Sequence, residues 1–245
     1  MGELYDAIGR GYSGRRRADP RIAARLHQSL EGLASVVNVG AGSGSYEPVD
    51  RAVVAVEPSA AMIAQRRRRD RVVQARAERL PLRTGCVDAA MAVLTVHHWG
   101  ERADAFAECA RAARRRVVVL TWDPESDGFW LVRDYFPELL AWDRRVFPAL
   151  DEFRAAWGRI RVEPVPVPGD CADGFLGAYW RRPAAYLDPT VRAAMSSFAR
   201  IPGVDDRVEQ LRRDLASGAW HRANRALRGQ DAADLGYRLV VADLS

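Results

Sequence analysis

Short β-branched runs alternate along this chain with segments whose apolar residues recur at helical spacing. The runs are Val36–Gly40, Val53–Glu57, Val72-Val73-Gln74-Ala75, Val87–Val93 and Arg116–Thr121, each of strand length and rich in residues that favour strands. Asp19-Pro20 opens a helix, with aspartate at the cap, proline in the first turn and Ile22, Ala23, Leu26 and Leu30 following at helical intervals. Ser59 caps a second helix expected to run through Arg69, with Met62 on its inner face, and a third spans about 102–113. Strands and helices in strict alternation imply a parallel sheet with right-handed crossovers and helices on both faces.

The pattern changes after the fifth strand. Residues 127–157 carry Phe129, Trp130, Tyr135, Phe136, Trp142, Phe147 and Trp157 at helical spacing. Arg159–Val167 looks like a strand bounded by Pro166 and Pro168, and Asp173-Gly174-Phe175 and Ala178-Tyr179-Trp180-Arg181-Arg182-Pro183 lead into helices to about 227. A last strand covers Tyr237–Ala242. With no internal repeat or low-complexity linker, the expectation is one domain over 1–245. Its parts are an arm at 1–19, a core at 20–122, helical cap inserts at 123–158 and 170–230, and a final strand within 235–244.

Chemistry concentrates at Val36-Val37-Asn38-Val39-Gly40-Ala41-Gly42-Ser43-Gly44-Ser45 and at Val53-Val54-Ala55-Val56-Glu57-Pro58. Glycine at alternate positions allows positive φ and close approach of backbone to a ligand. An acid ending the next strand can accept hydrogen bonds from both hydroxyls of a ribose. Together they describe a nucleoside crevice at the carboxyl edge of the sheet. A dinucleotide fits less well, because no further glycine follows Gly44 to complete that fingerprint, Tyr46 and Glu47 standing there instead. A helix is expected to start here, and an acid at that helix start opposes a diphosphate and tolerates a cation.

Composition narrows the picture further. The apolar share of 48% is that of an ordinary globular protein, and no run reaches the roughly 18 apolar residues of a membrane span. The opening Met1-Gly2-Glu3-Leu4-Tyr5-Asp6 lacks the basic start and apolar core of a secretory leader, so a cytoplasmic protein is expected. The net charge of +5 comes entirely from arginine on the basic side, since lysine does not occur. Arg15-Arg16-Arg17, Arg66–Arg69 and Arg114-Arg115-Arg116 read as solvated helix ends. No aromatics interleave with them as a nucleic-acid platform requires, so no nucleic-acid partner is expected. Cys86, Cys109 and Cys171 have no metal-ligand or disulfide spacing and read as buried thiols, with no metal.

Five ordered motifs resemble the class I S-adenosylmethionine-dependent methyltransferases, in the small-molecule group. They are the glycine segment at 36–45, Val-Glu-Pro-Ser-x-x-Met at 56–62, Ala-Glu-Arg-Leu-Pro-Leu at 77–82, Val-Asp-Ala-Ala-Met at 87–91 and Leu-Thr-Val-His-His-Trp at 94–99. Tyr5, Asp6 and Tyr12 in the arm, with the 170–190 block, resemble a subgroup common in actinobacteria. The fold class implied is α/β: a doubly wound, mostly parallel, seven-stranded Rossmann-like sheet with an antiparallel final strand and inserted cap helices. The resemblance implies S-adenosyl-L-methionine as cofactor. Gly40, Gly42 and Gly44 would pass close to its methionine part, and Glu57, beside Pro58, would take the ribose hydroxyls. Met62 would pack on the adenine, Ala77 and Glu78 would line the adenine edge, and Thr95 and His97 would lie near the sulfonium. Asn38 and Arg76 depart from the family pattern, each standing where an aspartate is usual.

Methyl transfer needs alignment of nucleophile, methyl and sulfur, and a base if the acceptor must lose a proton. His97 and His98 are the base candidates, whereas His27 and His221 fall in expected helices. Tyr12 and Arg17 are candidates for a lid over the cofactor, Arg17 pairing with its methionine carboxylate. Trp99, Phe129, Trp130, Tyr179 and Trp180 are candidates for the acceptor pocket, which then suits a small apolar or aromatic molecule of secondary metabolism. No Asn-Pro-Pro-Tyr or Asp-Pro-Pro-Tyr follows the fourth strand, which disfavours a nucleic-acid base as acceptor. A monomer or homodimer with no membrane partner is expected. The competing readings are an S-adenosylmethionine-binding protein without turnover and a nicotinamide-dependent oxidoreductase.

Overall fold

Period-2 alternation along the strands sorts their apolar side chains onto two opposed faces. In the computed structural model, which describes residues 16–67, 69, 71–198 and 201–244, Val36, Met91, Val118, Leu120, Leu239 and Val241 face one core. Val37, Val39, Ala90, Ala92, Val117, Val119 and Val240 face the other. The strands are β1 (Ser35–Val39), β2 (Ala52–Val56), β3 (Val72–Val73), β4 (Val87–Val93), β5 (Ala113–Trp122), β6 (Ile160–Pro164), β7 (Val167–Pro168), β8 (Ala232–Ala233) and β9 (Tyr237–Asp243). Seven form one sheet in the order β3-β2-β1-β4-β5-β9-β6, while β7 and β8 pair separately. The pairs among β1 to β5 are parallel, and β9 runs antiparallel to both β5 and β6. The expected α/β sheet with its antiparallel final strand is therefore present.

Helices α1 (Pro20–Gln28), α2 (Ala60–Ala64), α3 (Arg102–Ala112), α4 (Pro137–Val146), α5 (Leu150–Trp157), α6 (Pro189–Ala193), α7 (Val204–Ala216), α8 (Ala219–Ala223) and α9 (Arg225–Arg228) cover the sheet. Asp19 caps α1 by accepting the Arg21 N–H, and Ile22 and Leu26 bury beneath it. On the opposite face α3 and α5 bring Phe106, Cys109, Phe153 and Trp157 together, with the Trp157 indole donating to the Phe106 carbonyl at 3.0 Å. The aromatic cap packs on the α1 face. Trp130 meets Trp220 and Tyr186 edge-on, with centroids 5.1 and 5.6 Å apart, pairs worth about 0.5–1.5 kcal/mol each beyond area burial.

Several expected boundaries move, each for a local reason. The helix capped by Ser59 stops at Ala64 and does not reach Arg69, because Arg66 turns inward to become buried. The expected strand over Arg159–Val167 divides into β6 and β7, since Pro166 has no N–H for the ladder. The cap segment 127–157 begins with a single π-turn at Leu131–Tyr135 before α4 and α5. Cys86 is exposed, while Cys109 and Cys171 are buried thiols, each pushed up to about 12 chiefly by burial. Most telling for the site, the connection from β1 to β2, residues 40–51, contains no helix. No helix among the described residues is long and apolar enough to cross a membrane.

Candidate active site

The sheet order reverses at β1, which has β2 on one side and β4 on the other. Loops leaving the carboxyl ends of such neighbours part in opposite directions and open a crevice. A cleft of about 370 Å³ lies there, bordered by Asn38, Gly40, Gly42, Ser45, Glu57, Met62, Ala77, Glu78, Thr95 and Trp99, among others. That volume is of ligand-binding size.

The glycine loop is latched to the end of β2. Gly40 and Ala41 donate their N–H groups to the Val56 carbonyl at 2.8 and 3.0 Å. Gly42 donates to Glu57 Oε2 at 2.7 Å, and Ser59 donates to Glu57 Oε1 at 2.9 Å. A carboxylate has about four acceptor sites, so these two bonds fix its plane while leaving it chemically suited to a diol. At Gly40, with φ +69°, a Cβ would lie 2.2 Å from Thr95 Oγ1. Glycine is thus required there by the contact between the ends of β1 and β4. Gly44 does not border the cleft, and a Cβ on it would meet Glu47 and Arg66 at 3.0 and 3.2 Å. Its role is to let those two side chains close beneath the loop, which corrects the expectation that it touches the cofactor.

Arg66 is the residue that replaces the missing helix. Its side chain is 3% exposed, and Nη2 grips both carboxylate oxygens of Glu47 at 2.6 and 2.7 Å. Nη1 donates to the Gly42 carbonyl at 3.0 Å. Glu47 Oε1 also accepts from Asn38 Nδ2 at 3.0 Å. The oxygen of that amide, Asn38 Oδ1, is buried with no hydrogen-bond partner among the described residues, and Asn38 borders the cleft. An orphaned acceptor is what the ammonium of an amino acid would satisfy. At the far end, Glu78 Oε1 accepts the Gly100 N–H at 2.7 Å, and Met62, held by the Ser59 cap, faces the cleft with Pro58, Ala77 and Trp99. These residues fit a nucleoside joined to an amino acid. They fit a dinucleotide poorly, because a diphosphate needs a helix N-terminus after the glycines and residues 40–51 provide none.

A second cavity, of about 80 Å³, adjoins the first. Its border includes His97, Trp122, Phe129, Asp143, Phe147, Phe175 and Tyr237. Arg16, Leu94 and His98 border both cavities, which places them at the junction. His97 and His98 form a short 3₁₀ turn with Val96, braced by the His98 N–H donating to the Thr95 carbonyl at 2.8 Å. Phe147 stacks on His97 with centroids 4.1 Å apart. Leu94 has φ +51°, where among the described residues every other positive φ belongs to glycine. Such a conformation costs on the order of 1–3 kcal/mol and concentrates at functional sites. Burial raises the Tyr237 phenol well above its ordinary pKa, so it remains a neutral hydroxyl, accepting the Gly177 N–H at 3.2 Å.

Several sequence expectations land elsewhere. Tyr12 lies outside the described residues. Arg17 is exposed and borders neither cavity, whereas Arg16 borders both. Trp99 belongs to the first cleft, not the second. Trp130 and Trp180 are fully buried in the cap, where the Trp130 indole donates to the Trp180 carbonyl and the Trp180 indole to Val167 and Pro168 carbonyls. Tyr179 carries the Arg182 guanidinium 4.8 Å over its ring and borders neither cavity. Of the acceptor-pocket candidates Trp99, Phe129, Trp130, Tyr179 and Trp180, Phe129 alone borders the second cavity. Sequence reasoning missed Arg16, Trp122, Phe147 and Tyr237. His27 is structural, its Nε2 lying 3.0 Å from the Tyr46 carbonyl oxygen.

Comparison with known proteins agrees with this geometry. Residues 37–121 match the family model of the methyltransferase domain. A protein of Anabaena variabilis, assigned as a methyltransferase of an antibiotic biosynthesis pathway, is 32% identical and superposes with a TM-score of 0.85, over 94% of this chain and 99% of that one. An S-adenosylmethionine-dependent methyltransferase of Thermotoga maritima, a possible histamine N-methyltransferase, has the same fold at 16% identity, with TM-score 0.59 and all of both chains covered. Geranyl diphosphate C-methyltransferase of Streptomyces coelicolor aligns at 19% identity and TM-score 0.50, over 91% of this chain and 75% of that one. No curated protein matches. The chain belongs to the class I S-adenosylmethionine-dependent methyltransferases, and S-adenosyl-L-methionine is its cofactor.

Proposed function

We propose that this methyltransferase acts on a small acceptor with an apolar or aromatic body, and that the acceptor occupies the second cavity. The observation that carries this is the junction: Arg16, Leu94 and His98 border both cavities, so a group held in one meets a group held in the other there. The chain is read as one methyltransferase domain whose cap supplies Phe129, Phe147 and Phe175 as the acceptor's walls. The pathway named for the Anabaena protein supports a secondary metabolite.

Bound S-adenosylmethionine supplies a methyl group already activated on a cationic sulfur. The residues of the chain do the rest. Glu57 accepts the ribose hydroxyls; Met62, Pro58 and Trp99 pack on the adenine, with Ala77 and Glu78 at its edge. Asn38 Oδ1 accepts from the methionine ammonium and Arg16 donates to its carboxylate, the part assigned from sequence to Arg17. Gly40, Gly42 and Thr95 shape the floor. Orientation of this kind contributes on the order of 7–11 kcal/mol. His98 takes the acceptor's proton at its imidazole, and His97, stacked on Phe147, forms the wall beside it.

The test is transfer of a labelled methyl group into metabolite extracts, followed by His98→Ala and His97→Ala variants on the acceptor found. The expected result is a loss of about 10²–10⁴ in kcat for His98→Ala, with binding of S-adenosylhomocysteine unchanged. Equal activity of His98→Ala and the parent removes the base assignment. An acceptor that is a polymer removes the small-molecule reading.

A further inference from the structure

Asp173, in the Asp173-Gly174-Phe175 segment of the cap, has no part in the site as described so far. Its side chain is wholly buried and accepts from Arg16 Nε at 2.8 Å and Nη2 at 3.4 Å. It also accepts from the Tyr46 hydroxyl at 2.9 Å and from the Gly174 N–H at 2.7 Å. A carboxylate taken out of water needs partners of this number and kind. What is unusual is where they come from. Arg16 belongs to the segment before α1, Tyr46 to the loop after the glycines, and Asp173 to the cap.

The three segments are stitched at further points. Ser45 Oγ donates to the Arg16 carbonyl at 3.1 Å. The Ala172 N–H donates to Asp19 Oδ2 at 2.9 Å, and Arg21 reaches Asp170 at 2.7 Å. A guanidinium offers a rigid planar fork of donors. With Nε and one Nη engaged by Asp173, its plane is set by the cap, while Arg16 itself borders both cavities at the junction.

We propose that Asp173 is a positioning residue for the cofactor: it holds Arg16 at the methionine end of the cleft to receive the carboxylate, and through Tyr46 it keeps the glycine loop aligned with it. This rests on the reading that the first cleft binds S-adenosylmethionine. One consequence is that the cap, which shapes the acceptor cavity, also sets the amino-acid end of the cofactor site. A cap displaced by a wrong acceptor therefore loosens the cofactor.

Calorimetric titration with two nucleosides tests this. S-Adenosylhomocysteine carries the amino-acid group, and 5′-methylthioadenosine lacks it. Asp173→Asn, nearly isosteric, is expected to weaken S-adenosylhomocysteine about 10-fold or more, the size of a lost charge-assisted hydrogen bond, and to leave 5′-methylthioadenosine within about 2-fold. Arg16→Met is expected to show the same selective loss, and in the Arg16→Met background Asp173→Asn is expected to add no more than Tyr46→Phe does alone. Tyr46→Phe, which keeps the ring and removes only the hydroxyl, is the second probe should Asp173→Asn fail to fold, with a smaller selective loss expected. Equal weakening of both nucleosides assigns Asp173 a merely structural role and overturns the proposal. No weakening of either overturns it too, and leaves Arg16 to the acceptor. Failure of the parent protein to bind either nucleoside overturns the cofactor reading itself.

Discussion

Removing the Arg66 guanidinium tests whether an ion pair has taken the place of a helix under the glycine loop. In Arg66→Met the aliphatic stem keeps its packing, but Glu47, with a side chain 14% exposed, loses two hydrogen bonds of 2.6 and 2.7 Å. The Gly42 carbonyl loses its 3.0 Å donor at the same time. Stranding one member of a mostly buried pair costs about 3–5 kcal/mol. For a chain of 245 residues, at about 2 °C per kcal/mol, that is a fall of roughly 6–10 °C in Tm. The penalty is one of an uncompensated charge, so Glu47→Gln in the Arg66→Met background is expected to restore part of it. The coupling expected is about 1–3 kcal/mol. Urea unfolding of the parent, the two single variants and the double variant measures it, with S-adenosylhomocysteine titration reporting the loop. An Arg66→Met variant within about 0.5 kcal/mol of the parent, as for a surface change, would refute the reasoning, as would strict additivity in the double variant.

Three further outcomes follow from the geometry. Gly40→Ala places a methyl 2.2 Å from Thr95 Oγ1 at φ +69°, costing about 1–3 kcal/mol for overpacking and about 1–2 for the backbone; Thr95→Ala is expected to recover some of this, and a fully stable Gly40→Ala would show that the ends of β1 and β4 can part. Trp180→Phe removes the one indole donor that the Val167 and Pro168 carbonyls share, the Pro168 carbonyl keeping the Cys171 N–H, and is expected to cost about 0.5–1.5 kcal/mol for that hydrogen bond with acceptor KM unchanged, whereas Phe129→Ala is expected to raise that KM; the reverse pattern would exchange their roles. Burial raises the Asp19 carboxyl, but bonds from Arg21 and the Ala172 N–H outweigh it, and Arg114 with Ser35 lowers Asp88, so both lie well below the ordinary carboxylate range. A depressed folded-state pKa contributes stability that is complete above the unfolded value of about 3.9 and is lost as pH falls below it. Unfolding free energy measured from pH 7 downward should therefore fall on acidification, less steeply in Asp88→Asn, and an unchanged slope in that variant would contradict the assignment.

What could be read from the residues was whatever local pattern determines. β4 coincides with its expected bounds because a nearly continuous apolar run of seven residues between turns is of strand length and too short for a buried helix, and the cleft follows from Gly40, Gly42 and Glu57. Long-range partners decided what could not be read. Within Arg15-Arg16-Arg17 nothing local distinguishes the middle residue; Asp173, 157 positions away, selects Arg16. Within Arg66–Arg69 the selection is made by Glu47 and Gly42. Phe129 and Trp130 are equally apolar, and only the π-turn that follows them turns one toward the cavity and the other into the cap. The missing helix did leave a trace, since Ser45–Arg51 contains Pro48 and no helical apolar period.

The position of β9 bears on how this molecule assembles. Among the described residues β6 finds its hydrogen-bonding neighbour in β9 alone, so during synthesis it must wait unpaired while some seventy further residues leave the ribosome. An unpaired strand is an invitation to association with other chains. A ribosome stalled before Tyr237 would thus release a product with two adhesive borders, β5 and β6, and C-terminal truncations of even modest length should aggregate and not merely lose activity.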